Sequence, residues 1–308
     1  MDLKTLNEKV LSNGLSRLEH IHAMQSKFNQ HGEHYIGYYH QWEDIPYDTV
    51  SERQKYNVYV PRSPGKHPTI LYVHGGAWMI GDRADRGLSM ILPLVAHGYA
   101  IVTVGYRMTD EAVYPDSVHD VVRGFEAAME RAEEFGLDPE NLACMGGSAG
   151  TNMALLGAMR SKYRRSFKAA VLRCPLLQLA TIREDFEEIG LERKKLFGYP
   201  DEDTSIEAMF LGGTPAEVPE AYDSADPIHD LDAEVCPYIF LMHGLDDPAA
   251  PYLQSVHFAE AVEKKCGKGK AKVHLYPNTR HDYGMYDLPE TFEEYLAFLD
   301  EHLRGKHL

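Results

Sequence analysis

The sequence predicts an α/β fold with a mainly parallel central sheet and helices on both faces. Short runs rich in β-branched residues alternate with longer stretches that carry apolar residues at helical spacing. Most of the short runs are largely apolar rather than alternately apolar and polar, which is typical of strands covered on both faces. A chain of 308 residues can form one such domain with insertions.

Seven runs are predicted to be strands, and the connection at 62–68 predicts a hairpin. This connection reads Arg-Ser-Pro-Gly-Lys-His-Pro and lies between two apolar runs. Its serine, glycine and prolines are residues that favour turns. We therefore expect the first two strands to pair near one edge of the sheet. The seven predicted strands are 57–61, 69–73, 100–104, 141–145, 169–172, 238–242 and 271–276.

Four segments between or after these runs have the spacing of amphipathic helices. The first, 116–135, carries Val118, Val121 and Phe125 on one face and stops at Gly136. The other predicted helices are 151–159, 252–265 and 291–303.

Two segments lie outside this alternation. Residues 1–50 begin with widely spaced leucines and become rich in His and Tyr, and residues 177–226 form a charged insertion with several aromatic side chains. We expect both to form a cap over the carboxyl edge of the sheet, where such folds build their sites. Packing against the flank of the main domain, residues 51–308, is the alternative.

The charge composition limits the classes of molecule that the protein is expected to bind. There are 31 basic and 47 acidic residues, giving a formal charge of −16, which disfavours nucleic acid or an anionic membrane as partner. The first twenty residues contain no unbroken apolar core, so we expect neither a signal peptide nor a membrane span, and a cytoplasmic protein. A homo-oligomer is compatible with the sequence.

No metal or cofactor is expected. The four cysteines are widely spaced and are predicted to be reduced, structural thiols. The histidines clustered at 31–40 have spacings that suit no obvious metal site.

The segment 146–150, Gly-Gly-Ser-Ala-Gly, lies between a predicted strand and a predicted helix. A serine at such a turn is exposed as a nucleophile, and the flanking Gly146 and Gly150 avoid collisions with the strand and the helix. Ser148 is therefore a candidate nucleophile. The alternative is a phosphate-binding loop, but the lysine that such a loop needs is missing from this segment.

A serine nucleophile needs a base and a carboxylate that orients the base. Asp247 follows the predicted strand 238–242, and His281 follows the strand 271–276. The chain order Ser148, Asp247, His281 is that of one known hydrolase architecture. Asp246 is the rival for the acid.

The segment 74–78, His-Gly-Gly-Ala-Trp, follows the predicted strand 69–73. Adjacent glycines allow close approach of the backbone, so the N–H groups of Gly75 and Gly76, with that of Ala149, can bind an oxyanion. An ordinary glycine turn is the alternative reading.

Together these motifs resemble the α/β-hydrolases of the hormone-sensitive-lipase and carboxylesterase group. The motifs are HGGAW, GGSAG, HGLDDP and RHDYG, and the likeness covers about residues 50–305. It implies the α/β-hydrolase fold and a serine carboxylic ester hydrolase without cofactor. The implied nucleophile, base and orienting acid are Ser148, His281 and Asp247.

The resemblance does not indicate which ester is the substrate. Gly147 and Thr151 depart from the main branch of the group, and Ala77 replaces the third glycine of its oxyanion motif. The elbow and the insertion are similar to small intracellular acyl esterases, including deacetylases of acylated sugars. The expected partner is a small-molecule ester with a short acyl group, cleaved through an acyl-enzyme intermediate.

Two other functions stay open at this point. The same triad cleaves amides in arylformamidases and peptidases, and a third reading is a non-catalytic binding module on the same fold. Trp78, Tyr106 and Tyr283 are candidate pocket residues, but each fits a core position equally well.

Overall fold

The structure is a computed structural model that describes residues 2–12, 14–28, 39–191, 202–281 and 288–306. Its centre is an eight-stranded sheet with the order β1-β2-β4-β3-β5-β6-β7-β8. The first two pairings, β1 with β2 and β2 with β4, are antiparallel, and the other five are parallel. The predicted mainly parallel sheet is confirmed. The strands are β1 Tyr39–Pro46, β2 Lys55–Pro61, β3 His67–Val73, β4 Ala100–Val104, β5 Leu137–Gly147, β6 Phe167–Arg173, β7 Tyr238–Gly244 and β8 Ala271–Tyr276.

Helices lie on both faces of the sheet, as the apolar strands require. In β3, Leu71 and Val73 belong to one buried apolar cluster while Ile70 and Tyr72 belong to a second, because successive strand side chains point to opposite faces. None of the described helices is long and apolar enough to cross a membrane. Within the described residues they are α1 Leu3–Glu8, α2 Arg17–Phe28, α3 Arg86–Ile91, α4 Pro93–Ala96, α5 Asp116–Glu130, α6 Ala132–Phe135, α7 Ala149–Arg160, α8 Ile182–Ile189, α9 Ile206–Leu211, α10 Pro219–Ser224, α11 Leu253–Cys266 and α12 Pro289–Arg304.

The predicted hairpin between β2 and β3 is wrong. The turn at 62–68 does reverse the chain, but β4 lies between the two strands and pairs with both. All five residues of β4 are buried, and a largely apolar strand of this kind is stabilised best in the sheet interior with partners on both edges.

The segment 1–50 also differs from the expectation of a cap or flank, because its last part belongs to the sheet. β1 is an edge strand that runs antiparallel to β2, with an irregularity between Trp42 and Ile45. Its sequence is mostly polar and five of its eight residues are exposed, as is usual for an edge strand. A search for apolar runs therefore could not find it.

The helical part of the N-terminal segment is tied to the insertion. Arg17 of α2 is buried, and its guanidinium donates to Asn7 Oδ1, to the Thr109 carbonyl at 2.7 Å and to the Met209 carbonyl of α9 at 2.6 Å. Burial lowers the pKa of Arg17 to about 10, although Asp110 acts in the opposite direction. The guanidinium thus joins α1, α2, the chain after β4 and the insertion.

Candidate active site

Ser148 lies at the turn between β5 and α7 with φ 54° and ψ −130°, and it is 7% exposed. A Cβ on Gly146 would lie 2.3 Å from the Gly150 carbonyl oxygen, and one on Gly150 would lie 2.3 Å from that of Val73. Only glycine fits at these two positions. A left-handed serine held by such packing is the strained backbone expected at a functional turn.

His281 bridges Ser148 and Asp247. Its Nε2 lies 3.0 Å from Ser148 Oγ, and its Nδ1 lies 2.7 Å from Asp247 Oδ2. The structure thereby brings together the three residues predicted from the sequence to be nucleophile, base and acid. The ends of β7 and β8 place the last two, because these strands are neighbours in the sheet.

The loop of Asp247 and the loop of His281 pack directly on each other. The Asp246 N–H donates to the Thr279 carbonyl at 2.9 Å, and a Cβ on Gly244 would lie 2.3 Å from that same oxygen. Glycine at 244 thus permits the contact that sets the histidine loop beside the acid loop.

Of the two candidate acids, Asp246 and Asp247, only Asp247 is hydrogen-bonded to His281. Asp246 is exposed, whereas Asp247 is buried and its Oδ1 accepts the N–H groups of Ala249 at 2.8 Å and Ala250 at 3.0 Å. Burial alone would raise the pKa of Asp247, but the neighbouring imidazoles of His281 and His243 outweigh it and lower the pKa. Asp247 is therefore ionised and fixed in orientation.

His243 supports this loop, as its position before a glycine suggested. Its Nδ1 lies 2.8 Å from Ser255 Oγ and its Nε2 lies 3.0 Å from the Ala250 carbonyl.

The electrostatic setting of His281 favours its cation. Burial alone would lower the pKa of His281, but the Asp247 carboxylate and, second, the Cys174 thiol raise it well above its usual range. A stabilised imidazolium is what a base needs after it has taken a proton from serine.

The predicted oxyanion loop packs against the Ser148 turn. A Cβ on Gly75 would lie 2.5 Å from the Gly147 carbonyl oxygen and 3.3 Å from Ser148 Cβ. Within the described part of the chain, no group accepts a hydrogen bond from the N–H of Gly75, Gly76 or Ala149. These N–H groups are free to bind an anion close to the serine.

Strain is concentrated in the same loop. Gly76, Ala77 and Trp78 all have positive φ values, 108°, 55° and 57°. The Gly76 carbonyl accepts from the N–H groups of Met79 at 3.0 Å and Ile80 at 2.9 Å, which holds the turn. Ala77 thus adopts a left-handed conformation that favours glycine.

The candidate pocket residues differ in placement. Trp78 is buried and stacks on Phe210 of α9 with ring centroids 4.4 Å apart, and Tyr106 is buried and stacks on His74 at 4.7 Å. Tyr283 lies outside the described residues.

Sequence reasoning missed Cys174, the first residue after β6. It is 2% exposed, has φ 42°, and its thiol lies beside Asp247 and His281. The only available signal was its position after a strand at the carboxyl edge of the sheet.

A family model, BD-FAE, matches residues 56–262, which is more than half of the chain. The chain belongs to the BD-FAE family. The matched span of this BD-FAE protein includes the Gly75 loop, Ser148 and Asp247, whereas His281 lies beyond it.

Among curated proteins, the BD-FAE chain is similar to esterases. It is 24% identical over 285 residues to "Esterase LipQ" of Mycobacterium tuberculosis (strain ATCC 25618 / H37Rv), covering 91% of this chain and 63% of that protein. It is 27% identical over 262 residues to the "Probable isoprenylcysteine alpha-carbonyl methylesterase ICME" of Oryza sativa subsp. japonica, covering 80% and 60%. The chain therefore spans less than two thirds of the length of these relatives.

Solved structures similar to the BD-FAE chain confirm the α/β-hydrolase fold. A "Truncated form of carbohydrate esterase from gut microbiota" superposes with a TM-score of 0.75 at 19% identity, covering 89% of this chain and 99% of that one. The metagenomic carboxylesterase EstE1 superposes with a TM-score of 0.68 at 21% identity, covering 96% and 99%. The resemblance to carboxylesterase-like α/β-hydrolases is confirmed for family and fold.

Proposed function

We propose that this protein is a carboxylic ester hydrolase that cleaves short-chain acyl esters through an acyl-enzyme intermediate on Ser148. The observation that carries the proposal is the hydrogen-bonded series from Ser148 Oγ to His281 Nε2, 3.0 Å, and from His281 Nδ1 to Asp247 Oδ2, 2.7 Å. A serine, an imidazole and a carboxylate in this order form an activated nucleophile for acyl transfer.

Each group has a defined task. His281 removes the Ser148 proton as Oγ attacks the ester carbonyl, and it then returns the proton to the leaving alcohol. The N–H groups of Gly75, Gly76 and Ala149 bind the oxyanion of the tetrahedral intermediate. Water, deprotonated by the same imidazole, then releases the acid. Asp247 keeps the ring in one tautomer and stabilises its cation.

The curated relatives favour an ester over an amide as the scissile bond. Both relatives named above carry esterase names, and the first aligns over 91% of this chain. We accordingly propose a small-molecule ester as partner.

The short acyl group follows from the aromatic pair beside the oxyanion loop. Trp78 comes two residues after Gly76, and its buried ring stacks on Phe210 with centroids 4.4 Å apart, so we expect this pair to restrict the space on that side of the loop. Acylated sugars belong among the test substrates because a solved structure of the same fold is described as a carbohydrate esterase.

The test compares wild type with Ser148→Ala on p-nitrophenyl acetate, butyrate and octanoate, an acetylated sugar, and a formyl-anilide. We expect turnover to fall with acyl length, to be lowest for the anilide, and to drop by at least about a thousandfold in Ser148→Ala. Ser161→Ala is the matched control, since Ser161 lies at the opposite end of α7 and donates to the Ala158 carbonyl. A folded wild type without ester turnover, or a Ser148→Ala variant with undiminished turnover, would contradict the proposal.

A further inference from the structure

Cys174 is a buried thiol at the candidate active site with no task in the acyl-transfer mechanism. The backbone fixes its position: the Cys174 N–H donates to the Met242 carbonyl of β7 at 2.7 Å, and the preceding Arg173 carbonyl accepts the Ser148 N–H at 2.9 Å. Cys174 is thereby held between the serine turn and the strand that leads to Asp247.

The thiol, the Asp247 carboxylate and one ring nitrogen of His281 form a potential metal-binding group. Their ligand atoms all lie within 4.8 Å of one another, and no other such group of three occurs among the residues that the structure describes. Around a tetrahedral Zn²⁺ with ordinary bond lengths, S, N and O ligand atoms lie roughly 3.3–3.6 Å apart. Small side-chain movements can therefore close the site around an ion.

We propose that Zn²⁺ binds Cys174, Asp247 and His281 and reversibly inhibits the enzyme. On binding, the Cys174 thiol proton passes to solvent and a sulfur–zinc bond replaces the S–H bond. The His281 ring nitrogen that binds zinc also releases any proton it carries to solvent, which frees its lone pair. A lone pair of His281 and a carboxylate oxygen of Asp247 complete three ligands, and water takes the fourth position. The imidazole then cannot serve as the base for Ser148.

The ligand set predicts the selectivity of the site. Thiolate and imidazole favour Zn²⁺ and softer cations over Mg²⁺ and Ca²⁺, which prefer oxygen ligands. The site could not be predicted from the sequence, because its three residues follow three different strands, β6, β7 and β8. Metal binding is independent of the proposed function, and only the inhibition rests on it.

Binding is tested with Co²⁺ as a spectroscopic probe and with Zn²⁺ in equilibrium dialysis. Wild type should give a thiolate-to-cobalt charge-transfer band and retain one Zn²⁺ per chain. Cys174→Ala should lose the band and bind Zn²⁺ at least about tenfold more weakly, since even the loss of an outer contact reaches that size in metal sites. Cys144→Ala is the matched control, because Cys144 is equally buried in β5 but does not belong to the cluster. Cys174→Ser serves in the same role if the alanine variant does not fold.

Inhibition is measured as ester turnover with and without Zn²⁺, each variant relative to its own metal-free rate. Wild type and Cys144→Ala should lose most of their turnover and regain it with a chelator, whereas Cys174→Ala should keep most of it. Equal Zn²⁺ binding or equal inhibition in Cys174→Ala would overturn the proposal, as would absence of the cobalt band in wild type. A Cys174-dependent band in a protein without ester turnover would support the metal site and refute the proposed function.

Discussion

Nδ1 of His281 lies 2.7 Å from Oδ2 of Asp247, and the other carboxylate oxygen accepts two backbone N–H groups. The carboxylate is therefore fixed by its own loop and fixes the imidazole in turn. This arrangement leaves Nε2 directed to Ser148 Oγ at 3.0 Å. The protonation state of His281, which Asp247 influences, determines the pH range in which the imidazole can act as a base.

The pH dependence of turnover should report this pair. Burial alone would lower the pKa of His281, but Asp247 raises it well above its usual range. Since only the neutral imidazole accepts the serine proton, kcat/KM should fall as pH drops through a midpoint above about 6.5, the ordinary histidine value. The measurement is a pH profile of kcat/KM in buffer with a chelator.

Asp247→Asn tests the cause of that midpoint. Removing the anion should shift the midpoint to lower pH and reduce kcat by about 10³–10⁴-fold, because the amide supports the wrong tautomer. Asp246→Asn is the control, as Asp246 is exposed, and it should change neither quantity. A wild-type midpoint at or below the ordinary value, or equal losses in both variants, would contradict the assignment.

The oxyanion loop offers a pair of neighbouring substitutions with opposite expectations. In Gly76→Ala the new Cβ would lie 2.1 Å from the Ile80 carbonyl oxygen, at φ 108°, so the loop must shift. Displacing an oxyanion donor should lower kcat about 10²–10³-fold. Ala77→Gly introduces no atoms at a left-handed position and should leave kcat within about threefold of wild type. Both are measured with p-nitrophenyl acetate, and similar losses in the two variants would refute the assigned role of Gly76.

The buried guanidinium of Arg17 should contribute strongly to stability. In Arg17→Met the carbonyls of Thr109 and Met209 lose their charged donor, and we expect a loss of about 2–4 kcal/mol in the free energy of unfolding. Lys9→Met is the control: Lys9 pairs with Glu217 at 2.9 Å on the surface and also joins the N-terminal segment to the insertion, yet its loss should cost less than about 1 kcal/mol. Urea denaturation measures both, and equal losses would show that burial of the contact is not what matters.

The candidate site was more predictable than the edge of the sheet. Ser148, Asp247 and His281 could be found because each lies in the connection that follows a predicted strand, and their order along the chain matches that of a known hydrolase architecture. β1 could not be found, because an edge strand needs little apolar sequence, and the place of β4 between β2 and β3 depends on pairings between distant segments. The neighbours of Cys174 were hidden for a similar reason, since they are brought together only by the order of β6, β7 and β8.

The aromatic pair of Trp78 and Phe210 should limit acyl length. The rings stack at 4.4 Å with an interplanar angle of 8°, and Phe210 is also held by its carbonyl, which accepts the Tyr114 N–H at 2.9 Å. Phe210→Ala removes the ring behind Trp78, so the indole can move away from the oxyanion loop. We expect the ratio of kcat/KM for octanoate to that for acetate to rise by about tenfold or more, since a hydrophobic pocket discriminates at least about tenfold for a single methylene.

A matched control separates selectivity from stability in this last experiment. Phe125 is equally buried but packs on Phe167 at the start of β6, away from the carboxyl edge of the sheet. Phe125→Ala and Phe210→Ala should each destabilise the protein by about 3–5 kcal/mol through the cavity they leave. Only Phe210→Ala should alter the octanoate-to-acetate ratio. A ratio unchanged in Phe210→Ala, or changed equally in Phe125→Ala, would mean that the aromatic pair is part of the core and does not border the acyl group.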